Sequence, residues 1–109
     1  MDALETIFQL QKELARVTSS SRYPQSKEAR ISSLAMAIVH EAIELQNLTN
    51  WKWWKKSKEF DEALAKEEII DILHFVIQAS IEVGMMPTEI LNEYRKKNQI
   101  NMERQEKGY

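Results

Sequence analysis

Four carboxylates stand in two pairs whose members are three residues apart. Glu41 and Glu44 form one pair, and Glu68 and Asp71 form the other. Residues three apart on a helix lie about one turn apart on the same face, so two packed helices would bring all four together. Each pair lies in an apolar run, where unpaired carboxylates are costly to bury and a hard cation such as Mg²⁺ offsets that cost. The pattern predicts a divalent-metal site; the alternative is a pair of solvated helix faces.

Length and composition point to one small helical domain. The chain has 109 residues, 29% of them charged, a net charge of -2, and only two glycines and two prolines. These values favour long helices and a single domain over residues 1–109. The balanced charge gives no reason to expect a nucleic acid or a membrane as partner, and the absence of cysteine excludes thiolate metal sites. Because the N-terminus lacks a signal-peptide pattern, we expect a cytoplasmic protein.

Apolar spacing and cap residues predict four helices. Helix one covers about residues 2–17, since Asp2 and Glu5 have the spacing of a capping box. Helix two follows Ser26 and ends near residue 47. Helix three covers about residues 61–83 and stops before Gly84, and helix four covers residues 87–105. The predicted fold class is all-α, an antiparallel bundle of four main helices per chain.

Helix three is apolar in nearly every direction around its axis, as the segment from Ile69 to Ile77 shows. A helix of this kind is surrounded by other helices, and a chain this short has too few of its own. We therefore expect the bundle to be completed by oligomerisation, as a homodimer or a homotetramer. A buried strand is the alternative, but the run is long and contains no glycine or proline.

His74 lies three residues after Asp71, on a neighbouring position of the same face. A buried histidine usually makes a hydrogen bond, so we predict that His74 supports the site by holding a carboxylate or a backbone group. Direct metal ligation is the alternative. A ferritin-like di-iron centre requires Glu-x-x-His on each of two helices, and this chain has only Asp71-x-x-His74.

Two further segments carry groups that suit a nucleotide. Residues 51–56 contain all three tryptophans and three lysines, which can stack on a base and neutralise phosphates. Lys97, Asn101 and Arg104 align at i, i+4 and i+7 with Asn98 beside them, a stripe of donors that suits phosphate oxygens. The structural alternatives are a tryptophan-rich loop that closes the bundle or contacts a second chain, and a solvated terminal helix.

Together these motifs resemble the all-α nucleoside triphosphate pyrophosphohydrolases, the MazG-like superfamily. The two carboxylate pairs carry that resemblance. Three more motifs are similar to the dimeric dUTPase branch: Trp51-Lys52-x-Trp54-Lys55, Asp71-x-x-His74-Phe75, and Lys97-Asn98-x-x-Asn101-x-x-Arg104-Gln105-x-x-Gly108-Tyr109. The resemblance spans about residues 41–109.

The resemblance implies hydrolysis of a deoxynucleoside triphosphate, with dUTP, and also dUDP, as substrates and with dUMP and pyrophosphate as products from dUTP. It implies two or three Mg²⁺ ions, or Mn²⁺ as a substitute, on Glu41, Glu44, Glu68 and Asp71, with Glu41 or Glu44 accepting a proton from the attacking water. The phosphate contacts would come from Lys55, Lys97, Asn101, Arg104 and Tyr109. The base and sugar would be held by Gln11, Trp53 and Phe75, with His74 and Asn98 in supporting positions.

The sequence departs from the dUTPase pattern in helix one. The family often carries an asparagine directly after an L-Q-x-x-L element, whereas Leu14 is followed here by Ala15. The chain is also shorter than many dimeric dUTPases. Hydrolysis of dCTP, or of a broader set of nucleotides, is therefore the alternative within the enzyme class. A non-enzymatic helical dimerisation module is the alternative of another class, and it would require no Mg²⁺.

Overall fold

The computed structural model describes residues 1–108 of the chain. They form four α-helices, α1 (Ala3–Thr18), α2 (Lys27–Gln46), α3 (Glu62–Glu82) and α4 (Pro87–Glu106). No strand occurs in this range. The all-α fold with four helices is thus confirmed, and each helix begins and ends within a residue or two of its predicted bounds.

Side-chain caps set where the first three helices begin. Asp2, Ser26 and Asp61 each precede a helix in extended conformation and accept a hydrogen bond from a backbone N–H three residues later. The bonds come from Glu5 at 2.8 Å, from Ala29 at 3.1 Å and from Leu64 at 3.1 Å. Each cap satisfies one of the backbone donors that a helix leaves unpaired in its first turn. α4 instead opens with Pro87, whose fixed φ suits the first helical position.

The connection between α3 and α4 turns the chain sharply. Gly84 has a φ of +80°, in the left-handed region that glycine adopts without steric cost. The axes of α3 and α4 then differ in direction by 107°. Within residues 1–108 no single helix is long and apolar enough to cross a bilayer, and only this bent pair taken together meets such a criterion.

The helices pack in an uneven way. α2 and α3 make the main contact of the fold, α1 packs on α3, and α4 touches α1 alone among the described helices. The buried apolar core is small and consists of Phe8, Leu34, Ala65 and Ile77. No residue of α4 is buried. α2 and α3 therefore form the central helix pair of the chain, which we call the frame.

Much apolar surface on this frame stays uncovered. Val39 and Ile43 on α2 and Ile69 and Ile70 on α3 are each about half exposed. The chain has an accessible surface of 8885 Å², whereas a compact monomer of its 12.8 kDa mass would have about 6,300 Å². Its radius of gyration is 17.2 Å, against about 13 Å for a compact domain of this length. The single chain therefore leaves α3 incompletely surrounded.

Candidate active site

The frame brings three of the four predicted carboxylates together. Glu41 of α2 and Glu68 and Asp71 of α3 each offer an oxygen, and these oxygens lie within 4.8 Å of one another. Glu41 and Glu68 are partly buried, whereas Asp71 is exposed. The three-residue spacing on α3 and the close packing of α2 on α3 produce this arrangement, which we call the carboxylate group.

The electrostatics of the carboxylate group fit a bound cation. The pKa of Glu68 is raised, first by hydrogen bonding to Glu41, then by burial, and then by the negative charges of Glu41, Asp71 and Glu44. The Oε2 atom of Glu68 is buried and has no hydrogen-bond partner among the described residues. A buried acceptor oxygen beside two further carboxylates is a donor set that a hard divalent cation satisfies.

Glu44 lies at the edge of the carboxylate group. Its Oε1 atom is 3.8 Å from Nε2 of His40, one turn earlier on α2, and both side chains are exposed. Its charge nevertheless contributes to the raised pKa of Glu68. Glu44 is thus close to the other three carboxylates without sharing their tight cluster.

His74 makes a hydrogen bond within its own helix. Its Nδ1 atom lies 2.9 Å from the backbone carbonyl oxygen of Ile70. Because a carbonyl oxygen only accepts, Nδ1 is the donor in this bond. His74 is not part of the carboxylate group, although both line the same cleft.

A cleft of about 820 Å³ begins at Glu41 and Asp71 and extends between the first three helices. Besides His74, four residues of α3 line it at i, i+4, i+7 and i+11, and these four share one face. They are Asp71, Phe75, Gln78 and Glu82. Phe75 and Gln11, the predicted base-binding residues, thus line the same cleft as Glu41 and Asp71. Their role in binding a base stays a prediction.

Part of the cleft wall is a polar cluster of five residues, Gln11, Tyr23, Arg30, Gln78 and Glu82. Glu82 is its centre: Oε1 accepts hydrogen bonds from Tyr23 and Gln78, each at 2.9 Å, and Oε2 pairs with Arg30 at 3.3 Å. Burial alone would raise the pKa of Glu82, but these three partners outweigh it, and the pKa lies below its ordinary value. Glu82 is therefore an anion at neutral pH.

Of the five residues in the polar cluster, only Gln11 is predicted from the sequence. A signal was available, because Gln78 and Glu82 continue the spacing of Asp71 and Phe75 along an otherwise apolar helix. Polar residues that recur on one face of a buried helix indicate a polar cavity beside it.

The tryptophan-rich segment forms a loop outside the cleft. Trp53 is 85% exposed and packs edge-on against Trp54, with ring centroids 4.6 Å apart. Asn50 closes the loop, donating to the carbonyl of Lys58 at 2.8 Å and accepting from its N–H at 3.0 Å. Lys55 lines a separate pocket of about 230 Å³ together with other lysines of the loop. Within one chain, neither Trp53 nor Lys55 lines the cleft.

The predicted phosphate donors of α4 are also outside the cleft of their own chain. Lys97, Asn98, Asn101 and Arg104 are exposed, and none of them is among the cleft-lining residues of the described chain. Tyr109, another predicted phosphate contact, lies outside the described residues. The roles assigned to these side chains remain predictions.

Comparison with known proteins assigns the chain to a family. A family model described as dUTPase matches residues 3–90, which include α1, α2, α3 and the carboxylate group. The chain therefore belongs to this all-α, dUTPase-like family of nucleoside triphosphate pyrophosphohydrolases. The resemblance to this family is confirmed, and the matched residues end before the motif that begins at Lys97.

Two curated relatives are phage proteins. The dCTP pyrophosphatase of Enterobacteria phage T4 is 37% identical over 71 residues, which covers 54% of this chain and 42% of the relative. The dCTP pyrophosphatase of Enterobacteria phage LZ5 is 38% identical over 71 residues, with coverage of 54% and 41%. The chain thus spans less than half the length of these relatives. No solved structure matches it significantly.

Proposed function

We propose that this chain hydrolyses a deoxypyrimidine nucleoside triphosphate to the monophosphate and pyrophosphate, with Mg²⁺ as cofactor. The observation that carries the proposal is the carboxylate group: three oxygens lie within 4.8 Å of one another, and two of their residues, Glu41 and Asp71, line a cleft that Phe75 also lines. Family membership supports it, because the family is one of nucleotide pyrophosphohydrolases. A non-enzymatic dimerisation module would have no use for a costly cluster of partly buried acids.

The residues divide into three roles. Glu41, Glu68 and Asp71 would hold two or three Mg²⁺ ions, with Glu44 at their edge. When bound, the cations neutralise phosphate charge and orient water for attack. Glu44 is outside the tight cluster, so we assign it the acceptance of the water's proton, with Glu41 as the alternative acceptor. Phe75 offers a face on which a base stacks, and Gln11 offers an amide for its polar edge.

Uracil and cytosine are the two candidates for the base whose polar edge faces Gln11. The description of the matching family favours dUTP, which was the first choice from sequence. Both curated relatives are dCTP pyrophosphatases, and this favours dCTP. Ala15, at the position where the family often carries asparagine, is consistent with a base other than uracil. We therefore propose dUTP as the first substrate to test and dCTP as the second.

We further propose that the active form is a homodimer or a homotetramer. The excess of accessible surface over a compact monomer is about 2,600 Å², of the order that an obligate dimer interface buries. Lys97 and Asn101 are exposed and are not among the described residues that line the cleft of their own chain, so we propose that the α4 of one protomer completes the cleft of its partner. This arrangement would bring Lys97 and Asn101 to the phosphates of a nucleotide bound in the partner's cleft.

The test is pyrophosphate release from the common ribo- and deoxynucleoside triphosphates, with and without Mg²⁺. We expect Mg²⁺-dependent release that is fastest with dUTP or dCTP. Glu41→Gln should reduce it by about 100-fold or more, since it removes a cation ligand. Glu67→Gln, which removes the same charge from an exposed position on α3, is the control. Release that is unaffected by Glu41→Gln, or absent from the wild type with every nucleotide, would overturn the proposal.

A further inference from the structure

We propose that Glu82 is a positioning residue for base recognition. Acting through Gln78, it fixes the side-chain amide of Gln11 so that Gln11 offers an oxygen, and not a nitrogen, to the base. We call Glu82, Gln78 and Gln11 the amide relay. The inference rests on the proposed function and adds to it the atom that selects the base.

The relay begins at a group that only accepts hydrogen bonds. Tyr23, Arg30 and Gln78 all direct donors at the Glu82 carboxylate, at 2.9 Å, 3.3 Å and 2.9 Å. An ionised carboxylate has no proton to give, and its lowered pKa keeps it ionised at neutral pH. Each of its hydrogen-bond partners therefore donates an N–H or O–H group to it.

This constraint passes along the two amides in turn. Gln78 directs Nε2 at Glu82, so its Oε1 faces the other way and accepts from Nε2 of Gln11 at 3.0 Å. This bond directs Nε2 of Gln11 at Gln78. Oε1 of Gln11 is then buried without a hydrogen-bond partner among the described residues. Exposure of 8% for Gln11 and 9% for Gln78 leaves little water to support another arrangement.

The reversed arrangement is disfavoured at each step. If the Gln78 amide turned over, its oxygen would face the Glu82 carboxylate and its nitrogen would face that of Gln11. At Glu82 two acceptor oxygens would then face each other inside the protein, where unmatched polar groups are costly, and this cost would remain even if Gln11 turned over as well. The orientation of Gln11 is thus set by a charge two side chains away.

The unpartnered oxygen of Gln11 points to a ligand that donates. Gln11 and Phe75 line the same cleft, so a base stacked on Phe75 brings its polar edge to this wall. The matching groups are the N3–H of uracil and the exocyclic amine of cytosine. Because Oε1 is screened from water, we expect a small rotation of the Gln11 side chain when the base enters. The relay therefore presents an acceptor oxygen to a base that carries a donor at this edge.

The decisive variant is Glu82→Gln, whose neutral amide can face Gln78 with either end. We expect the KM for the preferred nucleotide to rise about tenfold, as for one misdirected hydrogen bond, with kcat changed less than about twofold. We also expect the kcat/KM ratio between the preferred nucleotide and its analogue methylated at the donor nitrogen, which cannot donate at this edge, to shrink. Tyr23→Phe is the matched control, because it removes one hydrogen bond to Glu82 but keeps the negative charge of Glu82. It should lower the melting temperature while the base preference is retained.

A second measurement does not depend on turnover. In ¹⁵N spectra of the ligand-free protein, Glu82→Gln should shift the side-chain amide signal of Gln11, which Glu82 does not touch, whereas Glu13→Gln on the outer face of α1 should not. An active wild type whose KM and base preference survive Glu82→Gln would overturn the relay alone. An inactive wild type would overturn the proposed function, and an unmoved Gln11 signal would then overturn the relay as well.

Discussion

Glu41 and Glu68 lie on different helices, and hydrogen bonding between their carboxyl groups is the largest cause of the raised pKa of Glu68. A raised pKa means that the folded protein favours the protonated form of Glu68, as expected when neighbouring carboxylates have no cation to offset their charges. Without a cation, the negative charges in the carboxylate group therefore repel one another.

Neutralising one member of this pair should stabilise the cation-free protein. Glu68→Gln provides a permanent donor toward Glu41 and removes one of the repelling charges, so we expect a higher melting temperature without Mg²⁺. The same change should abolish the further rise that Mg²⁺ produces in the wild type. Thermal unfolding with and without Mg²⁺ measures both effects. Glu67→Gln should leave the Mg²⁺ effect intact, and a Glu68→Gln protein with a full Mg²⁺ effect would contradict the metal assignment.

Glu82 should make the stability of the fold depend on pH. Its pKa is below the ordinary value, so the unfolded chain takes up the proton more readily than the folded chain. Its stabilising contribution is complete above the unfolded pKa and is lost as pH falls through the folded pKa. We expect Glu82→Gln to lower the free energy of unfolding at pH 7 and to differ little from the wild type under strongly acidic conditions. Denaturant titrations across this range measure the difference, and a constant gap would contradict it.

Gly84 should be sensitive to any side chain. Its φ of +80° is strained for other residues, although a Cβ added there would meet no atom within 4 Å. We expect Gly84→Ala to cost about 1 kcal/mol through the backbone alone. Gly84→Asn should cost less, because asparagine tolerates the left-handed region better. Chemical denaturation compares the two, and an equal cost for both would argue against a purely conformational origin.

The uncovered apolar face of α2 predicts self-association. Val39 is 50% exposed, so Val39→Lys should leave the fold of one chain intact while it places a charge in the proposed interface. We expect a shift from dimer or tetramer to monomer in light scattering coupled to gel filtration. Ser33→Lys adds the same charge to another face of α2 and should preserve the oligomer. A wild type that is monomeric at all concentrations would contradict this prediction.

If α4 completes the cleft of a partner, two inactive variants should rescue each other. A mixed dimer of Asp71→Asn and Lys97→Ala contains one cleft with both residues intact, provided that Lys97 acts across the interface. We expect the mixture to recover about a quarter of wild-type activity, since half of the dimers are mixed and one of their two clefts is intact. Refolding the two variants together and measuring pyrophosphate release tests this. No recovery would place Lys97 with the carboxylates of its own chain.

The helices and the carboxylate group were predictable because their causes are local. Asp2, Ser26 and Asp61 act on backbone groups three residues away, and the pairs on α2 and α3 follow from helix periodicity. Only the packing of α2 on α3 had to be assumed, and the strongly apolar faces of both helices favour that packing.

The polar cluster and the direction of α4 could not be predicted in the same way. Gln11 and Gln78 are 67 positions apart, and nothing near either residue in the sequence specifies the other. The 107° turn after α3 depends on how α4 meets α1, and so on surfaces whose shapes are set only after folding.

Asp71 and Gln78 stand on the same face of α3, seven residues and therefore about 10 Å apart along its axis. One continuous helix thus carries both the end of the cleft that holds the carboxylates and the end that holds the amides. No loop or hinge lies between them, so this separation is fixed by the pitch of the backbone. In the proposed function α3 acts as a ruler, and a nucleotide is accepted when the span from its phosphates to its base edge equals two turns of helix.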